Sequence, residues 1–272
     1  MHRKIILLTI LSSILIILAA GFIVWQKFSP KNPPVSTPNP SPEPQYPQTT
    51  SYQIPILMYH YIRNAEGESE LGKNLSVSPQ NFEAQIKWLK DDGYETIRLA
   101  DLADPDKKAI SKIIYEKKKP IIFTFDDGYA DAYTAAFPTL KKYNMSGTFF
   151  IIRNYVGKSA YMDQTQINEM EKAGMEIGSH TLSHPDLTKI NINDAQGQIF
   201  DSKQNALTFC YPAGKFNDTT VNLVKDAGYL AAVTTKIGIA SEKSNLFQLP
   251  RVRVEDTSAQ VLKDKIDYAF TQ

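Results

Sequence analysis

Ile121 to Phe125 form an unbroken apolar or β-branched run that follows Pro120 and leads straight into Asp126-Asp127-Gly128-Tyr129. A run so short and so rich in Ile, Phe and Thr reads as a strand buried on both faces. Gly128 supplies the turn, and two carboxylates are left at the strand's exit. Successive strand side chains point to opposite sides, but where the strand breaks into a loop both carboxylates can face one cleft. Side by side they repel, and one pKa rises unless a cation sits close to them. A bound metal would take one carboxylate as a ligand and leave the other as a base. Asp-Asp-Gly alone is also the composition of an ordinary polar turn, so the assignment depends on what the rest of the chain brings to it.

The rest of the folded part, 52–272, alternates. Strand patterns occur at 53–59, 95–99, 148–152, 175–179, 208–211, 230–234 and 249–254. Between them lie helical patterns: one capped by Ser78-Pro79 and ended by Gly93, one from Asp131 through Leu140, and one at 163–173 closed by Gly174. Three more follow at 192–204, 218–227 and 258–270. Caps, proline at the first helical position and closing glycines mark their ends. This order predicts an α/β fold with a largely parallel sheet or barrel. In such folds the carboxyl ends of the strands line the active site.

The N-terminus is of another kind. His2, Arg3 and Lys4 precede Ile5 to Trp25, which holds no charged residue, and Lys27 follows. About 20 apolar residues suffice to cross a bilayer as a helix, so 1–27 reads as a membrane anchor. A secretory signal cleaved near Ala19-Ala20-Gly21 is the alternative, but its apolar core is shorter, about 7 to 15 residues. Basic residues kept inside place the remainder on the extracytoplasmic side. Residues 28–51 carry prolines at 30, 33, 34, 38, 40, 42, 44 and 47. Such a tract cannot form a core and reads as an extended spacer with a reach of up to about 70 Å. The formal net charge is +1 with no large basic block, which gives no electrostatic case for nucleic acid. The single cysteine, Cys210, excludes an internal disulfide framework and reads as a core thiol.

Three histidines lie in the folded part, each just after a predicted strand: His60, His180 and His184. The last two are four apart, a spacing that on a helical turn puts both imidazoles on one side. With Asp127 they make a two-histidine, one-carboxylate set that leaves positions open for water and substrate, as catalytic zinc requires. Non-haem iron oxygenases use the same ligand types, but usually on an all-β scaffold, which this alternation of strands and helices is not.

Thr124-Phe125-Asp126-Asp127-Gly128 and His180-Thr181-Leu182-Ser183-His184-Pro185 resemble the first two motifs of the polysaccharide deacetylases, the NodB-homology or carbohydrate esterase family 4 enzymes. The likeness covers most of 53–254. It implies a distorted (β/α) barrel and metal-dependent removal of acetyl groups from sugars. By position, Asp127, His180 and His184 would be metal ligands and Asp126 the general base. Phe209-Cys210-Tyr211-Pro212-Ala213-Gly214 keeps the aromatic-Pro part of the third motif without its arginine, and no histidine follows His184 to supply the usual acid. Pro55-Ile56-Leu57-Met58-Tyr59-His60 resembles the start of the poly-N-acetylglucosamine deacetylase branch, in which the acid histidine comes first, so His60 takes that role. Leu249-Pro250-Arg251-Val252-Arg253 resembles the late arginine segment, with Arg251 orienting Asp126.

The resemblance implies zinc, with cobalt, nickel or manganese as alternatives. It gives the oxyanion to the metal and the Tyr211 N–H, beside Pro212, and leaves Tyr129 as a substrate contact. The expectation is de-N-acetylation of an N-acetylglucosamine polymer, exopolysaccharide or peptidoglycan, outside the membrane. The rivals are an O-acetyl esterase and a carbohydrate-binding protein without turnover.

Overall fold

The computed structural model describes residues 46–47 and 51–272. The expected anchor, and all of the Pro-rich segment except Tyr46, Pro47 and Ser51, lie outside the described residues. Among these, no helix is long and apolar enough to cross a membrane.

The fold is α/β around one parallel sheet. Its strands are β1 (Ile56–Tyr59), β2 (Tyr94–Thr96), β3 (Lys119–Phe125), β4 (Thr148–Ile151), β5 (Glu176–Ser179), β6 (Thr208–Cys210), β7 (Ala231–Val233) and β8 (Val252–Arg253). The order is β7-β6-β5-β4-β3-β1-β8, with β2 beside the first half of β3 and β4 beside its last two residues. Every pairing is parallel, so all strands end on one side of the molecule. There the chain delivers His60, Asp126, His180 and Tyr211 to a common rim. The stretch before β8 also meets the opposite edge: Leu249 N–H donates to Ala232 O (3.0 Å), and Thr234 N–H donates to Leu249 O (2.9 Å). Through this stretch the two edges of the sheet are joined.

Side-chain alternation then decides what faces where. Leu57, Tyr59, Phe123, Phe125, Phe149 and Ile151 pack on one face, under the helices Pro79–Asp91, Phe137–Lys142, Gln164–Lys172 and Ala259–Ala269. Ile56, Ile122, Phe150, Cys210, Val233 and Leu249 pack on the opposite face. Residues 122, 124 and 126 share a parity, so Asp126 is directed toward this second, dry interior.

Several elements differ from expectation. Pro55 splits the first strand, and its Gln53–Ile54 part pairs antiparallel with Ala240–Ser241. The helix expected from Asp131 begins as a π-helical turn, Ala132–Ala136, before Phe137–Lys142 continues as α. Helix Lys108–Tyr115 was not expected, although Ile110 and Ile113, both buried, carry the right spacing; the surrounding lysines masked it.

Candidate active site

Asp126 stands at the end of β3 with only 3% of its surface exposed, and Arg251 beside it has 1%. The guanidinium grips both carboxylate oxygens, Nη1 to Oδ1 at 2.7 Å and Nη2 to Oδ2 at 2.8 Å. Its other N–H groups are used as well. Nε donates to Thr234 O (2.8 Å) and Nη1 to Thr124 Oγ1 (3.0 Å), whose hydroxyl donates to Leu57 O (2.7 Å). Burial pushes the Asp126 carboxyl up, but Arg251 outweighs it and holds the group well below the usual carboxylate range. A fully bonded, bidentate pair is the arrangement that makes a buried charge tolerable.

Asp127 turns the other way. Its φ of +74° is left-handed, as is that of Gly128 at +80°, and this bend carries its carboxylate off the strand's alternation and toward the histidines. Oδ1 lies 3.4 Å from His180 Nε2 and 3.6 Å from His184 Nε2. The His180–His184 segment is not a helical turn. Thr181 and His184 are both left-handed, at +67° and +61°, and the His184 N–H donates to Thr181 Oγ1 at 2.9 Å. A β-branched residue at positive φ is strained, a feature concentrated at functional sites. Arg153 N–H to Thr181 O and Asn154 N–H to Leu182 O hold the segment in place.

These residues fit a divalent metal. Ligand atoms about 2.0–2.1 Å from a tetrahedral zinc lie about 3.4 Å from one another, close to the two spacings observed. His180 Nδ1 sits 2.7 Å from Cys210 O. Donation of that N–H leaves Nε2 to face the metal once its own proton is given up, the usual support of a metal-binding imidazole. Without metal, burial pushes the imidazole down, but Cys210 and Asp127 hold its pKa well above the usual value. Burial and the neighbouring His180 push His184 down, toward the neutral form a ligand needs. A second trio, Asp126, His180 and Cys210, is equally close-set. It already contains a cation, because Arg251 Nη2 is 2.8 Å from Asp126 Oδ2 and 3.4 Å from Cys210 Sγ, so a metal there would be repelled.

His60 completes the cluster, with Nε2 3.8 Å from Asp126 Oδ2. Burial pushes its pKa down, while Asp126 and Asp127 pull it up and Arg251 and Arg253 oppose them. The third-motif residues are placed differently from expectation. The Tyr211 side chain is fully buried against Phe209 and Phe216, with ring centroids 5.3 and 5.1 Å away. Its N–H donates to Val233 O at 3.3 Å. The sheet ladder thus claims the amide expected to face the oxyanion. Pro212 is buried and opens a turn in which Ala213 is left-handed (φ +51°). Tyr129 lies beside the site, but its ring is stacked between Tyr61 and Tyr161.

Two residues at the site had no role assigned from sequence. Thr124 lies on the interior parity beneath Asp126, so alternation alone could have found it. Cys210 is the core thiol expected, yet its Sγ also lies 3.6 Å from Asp126 Oδ2, a contact between positions far apart in sequence that no local signal marks.

The polysaccharide deacetylase family model matches residues 114–232. YxkH of Bacillus subtilis (strain 168), described as a candidate polysaccharide deacetylase, is 36% identical over 74% of this chain and 71% of its own length. The poly-beta-1,6-N-acetyl-D-glucosamine N-deacetylase of Staphylococcus aureus (strain MRSA252) is 28% identical over 78% of this chain and 82% of its own. Among solved structures, the Streptococcus pyogenes deacetylase PplD superposes with a TM-score of 0.69 at 32% identity, covering 80% of this chain and 99% of that one. BC0361, a polysaccharide deacetylase from Bacillus cereus, gives 0.70 at 30% identity, covering 80% and 70%. The motifs that meet at this rim and the relatives matched along its length agree, and the chain belongs to the polysaccharide deacetylase family.

Proposed function

We propose that this protein is a metal-dependent de-N-acetylase of an N-acetylglucosamine polymer, built on a NodB-type barrel. The observation that carries the reading is the placement of an acid and a base around one metal-fitting trio. His60 and Arg251 flank the same carboxylate, and the next residue, Asp127, reaches His180 and His184.

Asp127, His180 and His184 would hold the metal, zinc by its donor set. When bound it supplies Lewis acidity, lowering the pKa of a water and polarising the acetyl carbonyl. Asp126 receives the proton of the attacking water. Arg251 keeps that carboxylate ionised and fixes its orientation, so the base is ready whenever substrate arrives. His60, protonated, donates to the leaving nitrogen. One water and one amide become acetate and a free amine, which is cationic at neutral pH.

The substrate reading takes support from the Staphylococcus relative, which acts on poly-beta-1,6-N-acetyl-D-glucosamine. The location follows from 1–27 and 28–51: an uncleaved anchor and a proline-rich stalk would hold the catalytic domain outside the membrane.

The test is acetate release by the purified full chain from β-1,6- and β-1,4-linked N-acetylglucosamine oligomers, after chelation and after Zn²⁺ is restored. Release that disappears with chelator and in His60→Ala supports the reaction, and the preferred linkage separates exopolysaccharide from peptidoglycan or chitin. Release only from acetylated xylan would make it an O-acetyl esterase. Silence on every substrate, with metal bound and the fold intact, would leave a binding protein.

A further inference from the structure

Tyr61, Tyr129 and Tyr161 stack in succession beside the site, and Tyr155 leans against Tyr161 at an interplanar angle of 60°. Successive ring centroids are 4.0, 5.0 and 4.9 Å apart. Cations close both ends: Arg63 lies 3.6 Å from the Tyr61 centroid, and Lys158 lies 4.2 Å from that of Tyr155. Tyr129 stacks with two rings, Tyr61 and Tyr161, and Tyr61 stacks with a ring and meets a cation. Stacked and cation contacts of this kind use the faces of Tyr61 and Tyr129, so these two rings are a poor platform for a sugar.

The sequence places it at both halves of the chemistry. Tyr61 follows His60, and Tyr129 is two residues past Asp127. Where β1 and β3 end, Asp126 N–H donates to Tyr59 O at 3.0 Å, and the Tyr61–Tyr129 contact carries the pairing beyond that point. On the far side, Met162 N–H donates to Gly128 O (3.1 Å) and Ala130 N–H to Ala160 O (3.0 Å), with Tyr129 and Tyr161 bridged antiparallel. The turn thus clamped is the left-handed one that points Asp127 at the histidines. A non-glycine residue in that conformation is costly and persists only where its surroundings hold it.

We infer that the tyrosine stack is a positioning device: Tyr61 and Tyr129 fix the separation between His60 and the left-handed Asp127 turn, without themselves touching substrate. The inference rests on the proposed roles of His60 and Asp127.

Tyr61→Leu and Tyr129→Leu remove a ring; Tyr61→Phe and Tyr129→Phe keep it and delete the hydroxyl. The readouts are Zn²⁺ affinity by chelator competition, which needs no turnover, and kcat and KM for acetate release at saturating Zn²⁺. Loss of the ring at Tyr129 weakens Zn²⁺ binding by about tenfold. Loss at either position lowers kcat by about tenfold or more with KM little changed. Both Phe variants stay near wild type.

Leu variants that match wild type in affinity and kcat overturn the inference. So do Phe variants as damaged as the Leu ones, because the hydroxyl would then be the working part, and so does a rise in KM alone, the mark of a substrate wall. If the Leu variants fail to fold, Tyr161→Leu, one ring farther out, shows a smaller loss in the same direction, and no loss there overturns the inference. A wild-type chain that releases no acetate while its Zn²⁺ affinity still follows the stack would refute the proposed reaction and leave the positioning of Asp127 standing.

Discussion

Asp126 and Asp127 are neighbours in sequence and opposites in environment. Asp126 keeps the strand's alternation, enters the dry interior and is locked by Arg251, a cation that belongs to the fold. Asp127 breaks the alternation with a left-handed backbone and faces His180 and the more accessible His184, whose side chain is 34% exposed. Adjacent carboxylates should raise one another's pKa, yet both lie below the usual range. Burial pushes each up; Arg251 outweighs it at Asp126, and His180 outweighs it at Asp127. The lesson is that the pair is tolerated because each carboxylate has its own counter-charge, one permanent and one suited to exchange with a metal. That division separates a base from a ligand.

The sharpest way to break the comparison is to neutralise the two residues one at a time. Asp126→Asn should lower kcat by about 10³-fold, within the range for a general base, while Zn²⁺ affinity stays near wild type. Asp127→Asn should lose Zn²⁺ affinity first, with part of the activity returning at high Zn²⁺. Metal titration beside acetate release separates the two, and equal loss of metal in both variants would refute the division.

Arg251→Gln tests the permanent cation. Breaking a buried pair by removing one partner costs about 3–5 kcal/mol, and the sign of its pH dependence is fixed. The Asp126 pKa is held down in the folded protein, so the pair's contribution is present above the unfolded carboxylate pKa of about 3.9 and is lost as pH falls through the folded value. Denaturant midpoints of wild type and variant should therefore lie far apart at pH 7 and draw together below about pH 4.

Much of this site was legible because it depends on strand ends. Asp126 and His60 each follow an apolar run and His180 follows a predicted strand, and parallel strands deliver their carboxyl ends to one rim. What was not legible depends on backbone conformation or distant contacts. The His-x-x-x-His spacing suggested a helical turn, whereas two left-handed residues, Thr181 and His184, bring the imidazoles together. Tyr211 looked like a site residue from its motif, but strand alternation turns its ring into the helix-covered cluster with Leu187 and Ile199. The contact of Cys210 with Asp126 joins strands three places apart in the sheet, which periodicity cannot specify.

Asp131 provides a third carboxylate, close to the first two in sequence, that lacks so close a cation. Its Oδ1 is buried with no hydrogen-bond partner among the described residues. Burial pushes its pKa up to about 6, against backbone N–H bonds from Ile62 and Ala132 and the charge of Arg63. Here the sign is reversed. The folded pKa is above the unfolded one, so the stability linked to the proton is present below about pH 3.9 and is gone once pH rises through the folded value. Asp131→Asn should accordingly stabilise the protein by about 2 kcal/mol at pH 7.5 and by almost nothing at pH 3.5. Thermal melts at the two pH values check it, and equal shifts at both would mean that the ionised carboxylate is not the cause.

The smallest effect concerns the acid. His60 is pushed down by burial, drawn up by Asp126 and Asp127, and pushed down again by Arg251 and Arg253. Arg251 cannot be removed without disturbing the base, but Arg253 pairs in register with Met58, two residues before His60, and has no bond to Asp126. Arg253→Gln should raise the His60 pKa slightly, because one of the cations that push it down is gone. Since His60 must carry a proton for the amine to leave, the alkaline limb of kcat/KM moves up by the same amount while the acid limb stays in place. An alkaline limb that does not move, in an enzyme that His60→Ala inactivates, would mean that this limb reports another group and that His60 acts as a hydrogen-bond donor without titrating.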